Sequence, residues 1–159
     1  MSMRIGVVGD IHGNYSGLKK ALTQMGAVDH LLFTGDGIRE IKRLQEESGI
    51  FVRGVRGNCD FLSDYPDEDM FTLEGNRILL THGHHYGVKN GLTRIGLAAR
   101  EKEVKLVVFG HTHLPVITEW QGVLLFNPGT LCPERCYHGI GYGMIEITEN
   151  GVRPSLFRL

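Results

Sequence analysis

Met3-Arg4-Ile5-Gly6-Val7-Val8-Gly9-Asp10-Ile11-His12-Gly13-Asn14 is the stretch on which the fold turns. Its apolar, β-branched run reads as a buried strand over Met3–Val8. The run stops at Gly9-Asp10 and opens into a loop, Asp10-Ile11-His12-Gly13-Asn14. Asn14 or Ser16 can cap a helix with Leu18, Ala21, Leu22 and Met25 on one face, and Gly26 stops it. Strand, polar loop and helix in that order are the start of an α/β fold.

The same alternation continues outward. His30–Phe33 is a strand running into Thr34-Gly35-Asp36-Gly37, and Ile38–Glu47 a helix with Ile41 and Leu44 inward. Phe51–Val55 is a strand ending in Arg56-Gly57-Asn58-Cys59-Asp60. Leu62–Asp69, with a proline and four acids, reads as a loop. Phe71–Leu73 and Arg77–Leu80 pair as a hairpin, and the second strand runs into Thr81-His82-Gly83-His84-His85. Leu92–Lys102 is a helix, and Leu106–Phe109 a strand running into Gly110-His111-Thr112-His113. The last third changes character. Val116–Glu119, Val123–Phe126, Tyr142–Ile147 and Val152–Phe157 are strands joined by tight turns such as Gln121-Gly122 and Asn150-Gly151, mostly antiparallel. No internal repeat or linker divides the chain. The expectation is one α/β domain over residues 1–159, with two packed sheets between helices.

Composition bounds what such a domain does. The chain has 159 residues, 42% hydrophobic and 22% charged, so it can build a core and is not disordered. No apolar run approaches the ~20 residues of a membrane span. A net charge of −1 does not advertise nucleic acid or anionic lipid as a bulk partner. The first residues meet glycine and an acid too early for a secretory leader. Cys59, Cys132 and Cys136 are three, an odd number, which fits free thiols in a reducing cytoplasm. Gly6-x-x-Gly9 has the wrong spacing for a dinucleotide fingerprint. The 22 glycines are about twice the usual ~7%, and with the 8 histidines they gather beside Asp and Asn.

Five loops place Asp, Asn or His at the carboxyl end of a strand: Asp10 and His12, Asp36, Asn58, His82, and His111 with His113. That edge is where open α/β sheets bind ligands. Imidazole with carboxylate and amide oxygen suits manganese, iron, zinc, cobalt or nickel. Four His, two Asp and one Asn exceed the needs of one ion and suit two, with one carboxylate shared. Asp36 is the bridging candidate, being the central acid with no ligand partner in its own loop.

The ordered set Asp10-x-His12, Gly35-Asp36, Gly57-Asn58, His82 and Gly110-His111-x-His113 resembles the calcineurin-like metallophosphoesterases. Cys59-Asp60 after Gly57-Asn58, Thr81-His82-Gly83-His84 and Asn127-Pro128-Gly129-Thr130 resemble the YfcE-like phosphodiesterases among them. The resemblance implies a four-layer αββα sandwich and a cytoplasmic phosphoesterase, phosphodiesters favoured, acting on a small phosphate ester. It implies two divalent ions, manganese foremost. Asp10, His12, Asp36 and His113 would hold one, and Asp36, Asn58, His82 and His111 the other. A bridging hydroxide would attack phosphorus in line. Two dications, two carboxylates and that hydroxide leave the site near +1, attractive to phosphate. A protein-binding scaffold like the retromer subunit of this fold is the rival reading.

Where larger members of the superfamily carry a histidine as leaving-group acid, this chain has Cys59. A thiol titrating near 8.5 matches neutral-pH proton transfer poorly. Asp60 and His84 are the other candidates for that role. Arg135 and Arg56 are candidates for phosphate contact, and Tyr86, Tyr137 and His138 for pocket walls. His84 and His85 could equally support the neighbouring ligand. Trp120, beside a turn, is expected at the surface or at a contact in a homo-oligomer.

Overall fold

Among residues 2–159, described by a computed structural model, the chain forms ten strands in two five-stranded sheets and three α-helices. The strands are β1 (Ser2–Val8), β2 (His30–Phe33), β3 (Val52–Gly54), β4 (Glu68–Leu73), β5 (Asn76–Thr81), β6 (Leu106–Val108), β7 (Pro115–Trp120), β8 (Val123–Pro128), β9 (Gly141–Thr148) and β10 (Gly151–Arg158). The helices are α1 (Tyr15–Met25), α2 (Ile38–Ser48) and α3 (Thr93–Glu101). One sheet runs β10-β9-β1-β2-β3 and the other β4-β5-β6-β8-β7.

Alternation of side chains along each strand builds the layers. Val8, Leu31 and Phe33 face α1 and α2, together with Leu18, Ile41 and Leu44. Their neighbours Val7 and Leu32 turn the other way and meet Ile78, Leu80, Val108 and Phe126 of the second sheet. Leu79, Val107 and Leu125 point to the far side and pack under α3 with Ile95 and Ala99. The order is helices, sheet, sheet, helix, the expected four-layer sandwich. Because both faces of β1, β2, β5 and β6 are covered, these strands read as continuous apolar runs.

Pairing departs from the sequence reading in one respect. β8 lies parallel to β6, since the chain leaves β6, forms β7 at the sheet edge and returns antiparallel to it. The acid-rich loop gives its last two residues, Glu68 and Asp69, to β4. Three single-turn 3-10 segments, at His84–Tyr86, Val88–Asn90 and Pro133–Arg135, also lie outside the expected elements.

Trp120 keeps part of its ring at the surface and packs the rest. It is half-buried and packs with the cluster beneath α3, against Gly96. A Cβ on Gly96 would lie 2.4 Å from the indole ring. Gly96→Ala should therefore destabilise the protein by about 2 kcal/mol, despite alanine's better helix propensity of ~1 kcal/mol. A urea midpoint at or above the parent's would refute this contact.

Candidate metal centre

The parallel strands β1, β2, β3, β5 and β6 end at one edge of the sandwich, and their loops carry all seven polar side chains singled out above. The loops are drawn tight. Asp10 (φ 47°), His12 (44°), Asp36 (61°), His111 (72°) and His113 (64°) all lie in the left-handed region, at ~1–2 kcal/mol each for a residue with a Cβ. Neighbouring loops hold them there. The Ile11 N–H donates to the Asp36 carbonyl (2.8 Å), His111 N–H to Asp10 Oδ2 (2.9 Å) and Cys59 N–H to Asp36 Oδ1 (2.8 Å). A Cβ at Gly57 would come within 2.0 Å of Asp36 Oδ1, so only glycine lets the Asn58 loop approach this closely.

The donor atoms form two groups, Asp10 with His12 and His113, and Asp36 with His82 and His111, and a third, His12 with Asp36 and Cys59, joins them. Asp10 Oδ1 lies 3.4 Å from His113 Nε2 and 3.8 Å from His12 Nε2. Asp36 Oδ2 lies 3.2 Å from His82 Nε2 and 3.8 Å from His12 Nε2, between the two groups. Asn58 Oδ1 is 3.0 Å from His82 Nε2.

Whether these groups fit a cation is decided by their hydrogens. His82 Nδ1 donates to the Thr34 carbonyl at 2.8 Å, which fixes the tautomer and leaves Nε2 with a lone pair in the neutral ring. That lone pair faces Asn58 Oδ1, Asp36 Oδ2 and, at 3.1 Å, His111 Nδ1. His12 Nε2 faces His113 Nε2 at 3.3 Å. Asp10 Oδ1 is buried without any hydrogen-bond partner. Carboxylate and amide oxygens and imidazole nitrogens thus converge at close range, and Asp10 Oδ1 has no hydrogen to accept; such a donor set would suit divalent cations.

Titration follows from the same packing. Burial disfavours the Asp36 carboxylate, but the His82 imidazole and the Cys59 N–H outweigh it and draw its pKa down to about 2. Burial, then His82 and Lys89, pull His111 down to about 4. Burial also lowers His12, despite Asp10 and Asp36. For His82 burial is outweighed by Asp36, Asp10 and the Thr34 carbonyl, and its pKa is raised. Partial desolvation in the cleft and the Asp36 charge push the Cys59 thiol up.

The remaining candidates fall into different places. Asp60 is buried, and its carboxylate accepts from the backbone N–H of Asp36 (2.7 Å), Gly57 (2.8 Å), Gly37 (3.0 Å) and Ile38 (3.1 Å). Both oxygens are committed inward, so the expected acid role gives way to a structural one. Arg56 turns away to pair with Asp67 at 2.8 Å and does not line the cleft. Arg135 and Cys59 do line it, with His12, Asp36, Asn58, His111 and Tyr137. His84 is half-buried, its ring 5.2 Å from that of His82 and 4.0 Å from that of His85, tilted by 37° to the latter. Tyr86 instead donates to Glu68 at 2.6 Å, and His138 lines a separate groove.

Sequence reasoning missed Lys89, which lines the cleft from the 3-10 turn after His82. It missed Thr34 as the partner of His82, because a backbone carbonyl carries no residue signature. The motif Asn127-Pro128-Gly129-Thr130 now has work to do. Asn127 Nδ2 donates to the Gly110 carbonyl (3.2 Å), and Thr130 Oγ1 to the Asp10 carbonyl (2.7 Å), pinning two of the ligand loops.

Comparison with known proteins agrees with this geometry. Residues 3–150 match the sequence model of the calcineurin-like phosphoesterase superfamily domain. A probable metallophosphoesterase of Bacillus subtilis, YsnB, is 30% identical over 98% of this chain and 90% of its own. Phosphodiesterase YfcE of Escherichia coli is 29% identical over 91% of this chain and 88% of its own. A solved structure of YfcE, described as a phosphoesterase, superposes with a TM-score of 0.68 over 94% of this chain and 91% of that chain. Vps29 of Entamoeba histolytica, solved with zinc, gives 0.69 over 96% of this chain and 97% of that chain at 20% identity, a likeness of fold alone.

Proposed function

The chain belongs to the calcineurin-like phosphoesterase superfamily, and on that footing we propose that it is a phosphodiesterase that works through two divalent cations held at the Asp10–His113 cleft. The convergence of Asp, His and Asn donor atoms at the strand ends, with the orphaned Asp10 Oδ1 among them, carries this reading. Asp10, His12, Asp36 and His113 would hold one cation, and Asp36, Asn58, His82 and His111 the other, with Mn²⁺ the preferred metal. Bound there, such ions supply Lewis acidity to the phosphoryl oxygens and a nucleophilic water at neutral pH. The chain's own residues do the rest. Asp36 keeps its negative charge through the physiological range. Thr34 holds His82 in one tautomer and orientation. Arg135 and Lys89 attract and orient the phosphate anion from the cleft walls.

We place this activity in the reducing cytoplasm, in a single domain, from the three free thiols and the continuous fold. A protein-binding scaffold is the alternative reading, since Vps29 structures share the fold; the five donors held on left-handed backbone, Asp10, His12, Asp36, His111 and His113, favour the enzyme. The test is hydrolysis of bis(p-nitrophenyl) phosphate by chelator-stripped protein. No turnover should remain, and Mn²⁺ should restore it; full turnover by rigorously metal-free protein would sink the proposal.

Cys59 lines the cleft with its thiol pushed toward the protonated form, and in this reading it would stand beside the departing leaving group. A weak acid at that point favours esters with good leaving groups. Cys59→His should raise rates selectively for poor leaving groups, within the ~10²–10⁴-fold that a general acid contributes. A leaving-group series on both proteins at fixed Mn²⁺ measures this. Parallel plots of log rate against leaving-group pKa would remove any acid role from position 59.

A further inference from the structure

The cleft at the metal centre has two arms. One, of about 320 Å³, runs past Arg135 and Tyr137 with Lys89 on its wall. The other, of about 300 Å³, runs past Arg39 and Phe61. His12, Asp36 and Cys59 line both, so the arms meet at the metal centre. Each arm joins a cation to an exposed aromatic ring, Tyr137 being 90% and Phe61 82% accessible. Lys89, Arg135 and Arg39 have no carboxylate partner within 4.0 Å among the described residues, whereas Arg56 beside the same loops is neutralised by Asp67. Acids line the arms as well, Asp36 both of them, Glu134 the first, and Glu40 and Asp60 the second. Glu134 Oε2 accepts from the Cys132 thiol (3.4 Å), and Glu40 sits beside Arg39.

We propose that the substrates are linear phosphodiesters carrying an aromatic, nucleoside-like group on each side of phosphorus, one seated along Arg135 and Tyr137 and the other along Arg39 and Phe61. A dinucleotide has this chemistry: flat bases that stack on exposed rings, and a backbone anion attracted by the cations. The inference rests on the phosphodiesterase reading and deepens it. A monoester would leave one arm empty. A cyclic nucleotide, with both ester oxygens on one sugar, would also fill only one.

The test compares two diesters that expel the same p-nitrophenolate, thymidine 5′-(p-nitrophenyl phosphate) and ethyl p-nitrophenyl phosphate, with the Mn²⁺-loaded protein. kcat/KM should be about tenfold higher for the thymidine ester, the order expected for stacking one base. Of the variants Phe61→Ala and Tyr137→Ala, one should erase this advantage through KM, marking the arm that holds the nucleoside. The other should lower both esters together, marking the arm that holds the nitrophenyl group. Both side chains are exposed, so neither change threatens the fold. Calorimetry gives a second reading without turnover: the phosphorothioate of thymidylyl-thymidine should bind about tenfold more weakly to each variant. Equal kcat/KM for the two esters, or an advantage that survives in both variants, overturns the two-armed assignment while hydrolysis itself stands. Failure to hydrolyse any diester overturns the phosphodiesterase reading and this inference with it.

Discussion

Asp36→Asn should lower kcat/KM by at least ~10²-fold, or roughly 2.7 kcal/mol of transition-state stabilisation. The substitution keeps the shape of the side chain and an oxygen for the Cys59 N–H, so the loop should stay in place. What it removes is the negative charge beside His82 and His12 at 3.2 and 3.8 Å, between the two donor groups. An amide cannot hold two dications close together. His12→Ala, which removes a donor from one group only, should cost less. Metal analysis should find fewer than two ions per Asp36→Asn chain; two ions retained with full activity would rule out a bridging role.

Asp60→Ala should be the most damaging change for stability among the residues near the cleft, at about 4 kcal/mol. Its carboxylate is the sole side-chain partner of four buried backbone N–H groups. Two of them, at Gly37 and Ile38, open α2, whose N-cap residue, Gly37, has no side chain to cap it. Asp60 is thus a remote N-cap, and an anion at that helix end is favoured by the axial dipole as well. Removing it strands buried donors at ~1–3 kcal/mol each, less whatever water recovers. Asp60→Asn, which keeps one acceptor, should lose about half as much. Urea unfolding of the metal-free proteins measures both, and a midpoint equal to the parent's would refute the cap. If Asp60 acted instead as leaving-group acid, its loss would grow with leaving-group pKa; a structural role lowers every ester alike.

That contrast marks what was legible in the sequence. The strand ends were, because a buried parallel strand is an unbroken apolar run and its end is punctuated by Gly-Asp, Gly-Asn or Gly-His. The Asn14 cap was legible because its contact is local, Oδ1 accepting from the Gly17 N–H at 3.0 Å. Asp60 and Arg56 were misread, and the Gly96 contact of Trp120 unseen, for one shared reason: apart from Gly57 beside Asp60, the partners lie 22 to 24, 11 and 24 residues away and are backbone groups, an exposed acid and a glycine. Periodicity reports which face of an element is buried, not which distant group meets it. Lys89 escaped notice because its 3-10 turn has no periodic pattern, and a lone lysine in a loop resembles any solvated one. The parallel β6–β8 pair was hidden for a topological reason, since β7 intervenes in the chain but lies outside β8 in the sheet.

The left-handed backbone at Asp10, His12, Asp36, His111 and His113 has a consequence for how such a chain changes over generations. At each of these positions selection for the side chain opposes selection for an easy backbone, because glycine would relax the strain and erase the donor. A lineage that still depends on the chemistry must keep all five against a steady mutational bias toward relaxation. A lineage released from it should drift first at these positions, toward glycine and asparagine, and gain stability as it does. Among descendants of one ancestor, the residues at these five sites would then date the loss of activity, with the most thermostable proteins the least able to bind metal.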